Sequence, residues 1–213
     1  KIVPLPTMKI ICVGMNYRLH NKELGESLLE QENPVIFMKP DSAILRNRRP
    51  FFLPDFSERI EYETELVVRI SRLGKSIEAR FANRYWDAVT LGIDFTARDL
   101  QNRYRSMGLP WELCKGFDSS AVVGDWIEKE KLDKDIQNLN FRLDIDGNLA
   151  QQGYTGDMIF SVAEIIEYVS SFCTLKTGDL IFTGTPAGVG PVHIGEHLQG
   201  FLEDKNVLDF HIR

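Results

Sequence analysis

Short apolar runs and period-two alternation dominate this chain, and runs at helical spacing are few, so the pattern predicts many strands and few helices. Residues 9–13 form a brief apolar run that Gly14 breaks, and residues 34–39 form another that Pro40 stops. Residues 61–71 and 88–95 read as longer strands that enter a core. Residues 139–145 alternate like a half-exposed strand and run into Asp146-Gly147-Asn148, a strong hairpin signal with a return through 149–153. Residues 195–213 supply a last hairpin, turning near 203–206, and residues 121–123 a short strand. Residues 125–135 are charged and read as surface. Between these, residues 41–54 read as loop and short edge strands.

Helical spacing is confined to four places. After Gly14 the polar stretch 16–24 predicts a short helix with Asn16 as its cap, which places His20 and Glu23 on one face. Residues 77–86 put Ile77, Phe81 and Tyr85 on one face. Residues 96–104 predict a helix ended by Gly108, with Arg98 and Gln101 together in its first turns. Ser161-Val162-Ala163-Glu164 is a capping box, followed by an apolar stripe of Val162, Ile165, Ile166, Val169 and Phe172. The weakly patterned segment 25–33 reads as a mobile lid.

One strand carries chemistry. In Ile60-Glu61-Tyr62-Glu63-Thr64-Glu65, alternate side chains share a face, so three glutamates would point the same way. A solvated face tolerates that repulsion, whereas a buried one needs a cation among the carboxylates. The apolar continuation 66–70 favours burial, and hence a divalent metal held by at least two of these acids. Asp94 ends an apolar strand just before a helix; it is either a helix cap or a ligand held at a strand terminus. Lys115 sits among apolar neighbours, where the simplest reading is a solvated lysine. His20 and Glu23, taken alone, read as an exposed surface pair.

Composition narrows the classes. With 213 residues and 43% hydrophobic content, the chain suffices for one sizeable core, and a single domain over 1–213 is expected. Met8 could be the native start, with residues 1–7 left from an upstream segment. A net charge of −6 argues against nucleic acid or an anionic membrane as partner. No apolar run approaches the roughly 18 residues of a membrane span. Three well-separated cysteines, Cys12, Cys114 and Cys173, read as reduced thiols in the cytoplasm. The Gly/Thr/Pro-rich loop 183–191 offers backbone N–H groups and hydroxyls suited to a carboxylate or phosphate, but is neither a P-loop nor a dinucleotide fingerprint.

Several separate motifs then resemble, in order, the fumarylacetoacetate hydrolase family. They are Gly-Met-Asn-Tyr at 14–17, Lys-Pro at 39–40, Tyr-Glu-Thr-Glu-Leu at 62–66 and Asp-Phe-Thr-Ala-Arg-Asp at 94–99. Lys115-Gly-Phe and Thr-Gly-Thr-Pro-Ala-Gly-Val-Gly-Pro at 183–191 complete the set. The similarity is to the short, single-domain branch of acylpyruvases and oxaloacetate decarboxylases. It implies an α+β, mostly β fold: a rolled, mixed or antiparallel β-sheet with a few flanking helices, in a homodimer. It implies that Glu63, Glu65 and Asp94 hold the metal and that Glu61 does not. It matches Lys115, Arg98, Gln101 and Thr185 to positions that contact substrate, and His20 and Glu23 to a water-activating pair. Met15 departs from the family's common Arg.

An all-carboxylate set selects a hard cation, Mg²⁺ or Mn²⁺. The expected function is metal-dependent hydrolysis of the C–C bond of acylpyruvate-type 2,4-dioxo acids through a pyruvate enolate, with oxaloacetate decarboxylation as a further activity. The alternatives are an isomerase or decarboxylase of 2-hydroxyhepta-2,4-diene-1,7-dioate-type substrates, an oxaloacetate tautomerase, and a non-catalytic 2-oxo-acid binding protein.

Overall fold

A computed structural model describes residues 8–23 and 32–213, with the backbone alone at Glu23. In chain order the first elements are β1 (Ile10–Gly14), α1 (Arg18–Glu23), β2 (Val35–Lys39), β3 (Ile44–Arg46), β4 (Ile60–Tyr62), β5 (Thr64–Ile70), β6 (Trp86–Asp94) and β7 (Thr96–Ala97). Then come α2 (Arg98–Met107), α3 (Glu112–Lys115), β8 (Ala121–Val123), β9 (Ile127–Glu128), β10 (Asn140–Ile145), β11 (Asn148–Tyr154) and α4 (Val162–Phe172). The chain closes with β12 (Leu180–Phe182), β13 (Gly190–Pro191), β14 (His197–Leu202) and β15 (Lys205–His211).

The main sheet is mixed, in the order β2-β1-β12-β5-β6-β8-β3, with β9 pairing β6. Only the β1–β12 and β8–β3 pairs are parallel. A second, antiparallel sheet runs β11-β10-β14-β15, and a small one runs β13-β4-β7. Strand alternation sorts the side chains of the main sheet. Leu66, Val68 and Ile70 of β5, with Val89, Leu91 and Ile93 of β6, enter the same core as Phe141, Leu143, Leu198, Leu202 and Phe210 of the second sheet. The opposite face carries Ile10, Cys12, Val67, Val123, Leu180 and Phe182. In the β5–β6 register Glu65 pairs with Gly92, so Glu65 and Asp94 lie on this second face. The sheet rolls around that face. Lys39, on edge strand β2, reaches Asp94 on β6 at 2.6 Å, and a single turn at 41–43 joins β2 to β3 on the other edge. The fold is thus the mostly β, rolled mixed sheet that the family resemblance implies.

Several local expectations need correction. Asn16 does not cap α1. Its side chain bridges instead to Phe160 N–H and the carbonyls of Phe160 and Thr183, tying the turn after β1 to the far loops. The 77–86 segment forms a 3₁₀ turn over Ala79–Arg84, and β6 already begins at Trp86. The α2 helix starts two residues late because Thr96 and Ala97 pair with β4. Residues 112–115 are a helical turn rather than loop. In α4 the capping box forms and four of the stripe residues are buried, but Phe172 at the last turn is 71% exposed. The 146–147 hairpin has φ of 51° and 77°, as a tight two-residue turn demands. The expected lid, 25–33, lies outside the described residues but for its last two positions, as do residues 1–7.

Candidate active site

The site forms where the glutamate strand breaks. Glu63 falls between β4 and β5, and its carbonyl accepts the Asp94 N–H at 2.8 Å. This interruption overturns the simple alternation of three glutamates. Glu61 belongs to the small sheet, while Glu65 belongs to the main one. The result brings Glu63, Glu65 and Asp94 together, each offering a carboxylate oxygen within 4.8 Å of the others, all buried. Glu61 is buried too, but two arginines hold it: Arg98 Nε at 2.6 Å and Arg59 Nε at 2.6 Å.

Cations distribute unevenly over this triad. Lys115, 2% exposed, donates to Glu63 at 2.7 Å, to Asp94 at 2.9 Å and to Thr96 Oγ1 at 2.6 Å. Burial alone would lower its pKa, yet Asp94 and Glu63 outweigh that and raise it, so it stays an ammonium. Arg98 adds a bond to Glu63 at 2.5 Å and one to Gln101. Burial pushes the Glu63 carboxyl up, but Lys115 and Arg98 overcome it and hold the group well below the carboxylate range. Lys39 pairs with Asp94 and donates to the backbone carbonyls of Phe95 and Ser120. Glu65 is different. It accepts the Gly184 N–H at 2.7 Å, and burial, then Asp94 and Glu63, raise its pKa well above normal.

The three acids are placed so that they could hold a metal ion. Lys115 and Arg98 compensate Glu63, and Lys115 and Lys39 compensate Asp94, so Glu65 is the least compensated of the three buried carboxylates. The donors are all oxygens, which fits a hard divalent ion and gives soft metals no thiolate or imidazole within the triad.

A cleft opens over the triad. Its lining includes His20, Arg98, Gln101, Lys115 and Thr185, with Glu63 and Glu65 at its floor. The structure therefore gathers the sequence-selected residues at one place, with Asp94 fully buried beneath. Glu23 sits on α1 with His20, but its side chain lies outside the described residues. His20 is 4% exposed, so it is no surface residue. The 183–191 loop spends one of its N–H groups on a protein carboxylate, Glu65, and its Thr185 hydroxyl donates to Thr64 O at 2.9 Å and accepts from Gln151 at 2.7 Å.

Four residues support or line the site in ways their sequence setting did not show. Lys39 was legible only as part of a motif, because its partner Asp94 comes from across the roll. Glu61 and Gln151 act through neighbours. Arg105 lines the cleft at i+7 from Arg98, a helical spacing that could have exposed it.

The rolled sheet and its acid-floored cleft define a small, mostly β protein with a buried carboxylate triad beneath a cleft lined by Arg98 and Lys115. The chain belongs to the fumarylacetoacetate hydrolase family: the family's C-terminal domain matches residues 9–213. It is 41% identical over 189 residues to the mitochondrial oxaloacetate decarboxylase of Dictyostelium discoideum, covering 88% of this chain and 85% of the relative. It is 38% identical over 204 residues to the mitochondrial oxaloacetate tautomerase of Mus musculus, covering 96% and 91%. Among solved structures, the fumarylpyruvate hydrolase of Pseudomonas aeruginosa in complex with Mn²⁺ and pyruvate superposes with a TM-score of 0.91 at 36% identity, covering 97% of this chain and 90% of that one.

Proposed function

We propose that this protein is a divalent-metal-dependent enzyme of small 2-oxo acids that develops an enolate on a pyruvate-like fragment, and that it hydrolyses acylpyruvate-type 2,4-dioxo acids. The observation that carries this reading is the buried Glu63–Glu65–Asp94 triad with Lys115 among it, opening to a cleft that His20 lines. Glu63, Glu65 and Asp94 would hold Mg²⁺ or Mn²⁺. When bound, such an ion supplies Lewis-acid polarisation of the 2-oxo group.

The chain's own residues supply the rest. Lys115, kept charged by its acids and itself 2% exposed, offsets the negative charge that grows on the enolate oxygen. Arg98 and Gln101, locked to each other and to Glu63 and Glu61, present fixed donors to the substrate carboxylate. Thr185, its hydroxyl proton held by Thr64 O and its oxygen by Gln151, is a fixed surface of the cleft against which the substrate lies. His20, assisted by Glu23, takes the proton of the water that attacks the distal carbonyl. The C3–C4 bond then breaks, its electron pair becomes the enolate, and a proton returned to C3 completes pyruvate.

The relatives favour a second reaction on the same residues. Two of them carry oxaloacetate tautomerase or decarboxylase names, and moving a proton between carbon and oxygen, or losing CO₂, needs the same enolate but no water attack.

Pyruvate release from acetylpyruvate, measured with and without Mg²⁺, tests the lead reading beside loss of the enol absorbance of oxaloacetate. Metal-dependent release that falls about 100-fold in His20→Ala supports hydrolysis. Release that is absent, while metal-dependent oxaloacetate turnover survives in His20→Ala, transfers the assignment to the second reaction. Turnover of neither substrate removes both.

A further inference from the structure

Gln151 stands where the core face of a sheet would ordinarily be apolar. It lies on β11 directly opposite Leu143 and is 2% exposed. Opposite residues of an antiparallel pair point the same way, so its amide enters the core side that Leu143 occupies. A buried amide is costly unless its groups are paired. Its Oε1 accepts the Thr64 N–H at 3.0 Å, and its Nε2 donates to Thr185 Oγ1 at 2.7 Å and to the Pro186 carbonyl at 2.8 Å. The Thr64 N–H can only donate and the Pro186 carbonyl can only accept, so the amide has one orientation. The Thr185 hydroxyl therefore receives a proton from Gln151 and gives its own to Thr64 O at 2.9 Å. The three residues close a ring in which each donates once and accepts once.

That ring grips the chain between two acids of the triad. Two peptide units join Glu63 to Glu65. In the first, Glu63 O accepts the Asp94 N–H at 2.8 Å, and the Thr64 N–H goes to Gln151. In the second, Thr64 O takes the Thr185 hydroxyl. Thr185 in turn follows Gly184, whose N–H holds Glu65 Oε2 at 2.7 Å. Gln151 thus acts, through one partner each, on the spacing of Glu63 and Glu65 and on the orientation of the Glu65 carboxylate.

Resting on the proposed function, we infer that Gln151 is a positioning residue for the metal: from the second sheet, it fixes the separation at which Glu63 and Glu65 present their oxygens to the ion. A small hard cation tolerates little error in that separation. A residue that orients the ligands without touching the ion typically changes affinity 10- to 100-fold.

The test measures Mn²⁺ affinity by titration calorimetry, and the coordination of the bound ion by electron paramagnetic resonance. The proteins are the native chain, Gln151→Met, Thr185→Val and the double variant, each at a temperature where circular dichroism shows it folded. Gln151→Met keeps the length without the amide, and Thr185→Val keeps the shape without the hydroxyl. Each opens the same ring, so each weakens Mn²⁺ binding roughly 10- to 100-fold and alters the fine structure of the bound-ion signal. The double variant binds no worse than the weaker single one, because residues of one network do not lose their effects independently. A lower melting temperature in Gln151→Met with native affinity and signal makes the residue merely structural and overturns the inference; losses that multiply in the double variant overturn it too. If Gln151→Met does not fold, Thr185→Val decides by the same two readouts. A native protein that binds no Mn²⁺ removes the proposed function, and this inference with it.

Discussion

At the scale of single residues, Lys115 is the group on which the site's electrostatics turn. It bridges Glu63 and Asp94 and neutralises part of a charge that burial makes costly. Replacing it with Met should lower turnover by about 10²- to 10³-fold, as loss of a preorganised charge does; steady-state kinetics on whichever oxo acid is turned over, with circular dichroism to confirm folding, checks this. Glu61 acts at one remove. It clamps Arg98 Nε while Arg98 clamps Glu63, so Glu61→Gln should cost roughly 10-fold in kcat/KM, in the range of lost supports to a ligand. A kcat/KM equal to that of the native protein would show that Arg98 needs no such tether. Cys12 and Cys114 are not poised as nucleophiles. Cys12 is buried near Asp94 and Glu65, and burial pushes its thiol far up, while Cys114 is raised to about 11. Both are poor nucleophiles at neutral pH.

At the scale of elements, the α2 helix and strand β6 fix where the functional groups can be. Asp99, in the first turn of α2, anchors the 57–58 loop. Burial raises its carboxyl, but the Ser57 hydroxyl and backbone N–H groups together outweigh that and lower its pKa. A depressed folded-state pKa gives stability that is present above the unfolded value and lost as pH falls through the folded one. Asp99→Asn should therefore destabilise the protein near neutral pH by about 1 kcal/mol, and denaturation curves of the two proteins should converge in acid. In β6, Gly92 faces the inside of the roll. A Cβ there would meet Phe182 Cε1 at 2.6 Å, Val67 Cγ2 at 2.7 Å and the backbone oxygen of Val122 at 2.7 Å. Gly92→Ala should cost about 1–3 kcal/mol through overpacking, seen as a lower Tm, and it should loosen Asp94 two residues on.

At the scale of the whole molecule, the rolled sheet concentrates like charge in its interior. Metal binding should therefore stabilise the fold as well as activate it. Added Mg²⁺ or Mn²⁺ should raise Tm, by about 2.7 kcal/mol of stability at a hundredfold excess over Kd. Glu65→Gln should melt higher than the native protein without metal, since it removes the carboxylate whose charge burial, Asp94 and Glu63 most disfavour, and should lose the metal-induced rise. Scanning calorimetry with and without EDTA reads both effects. Among the described residues no helix is long and apolar enough to cross a membrane.

The sequence by itself determined whatever depends on near neighbours. The apolar runs of β5 and β6 placed strands buried on both faces, and the alternation of β10 placed a half-exposed one. The Ser161–Glu164 box placed a helix start, because its partners lie three residues apart. The ordered motifs named the family and its acids. Only the tertiary structure decided which groups meet. The break at Glu63 arises because β4 and β5 pair in different sheets, so Glu61 turns to Arg98 and Arg59 instead of joining Glu65. Lys39 finds Asp94, and Gly184 finds Glu65, across 55 and 119 residues of chain because the sheet rolls shut around them. Contacts of that separation leave no periodic trace in the sequence; they follow from register and curvature, which only the packed sheet fixes.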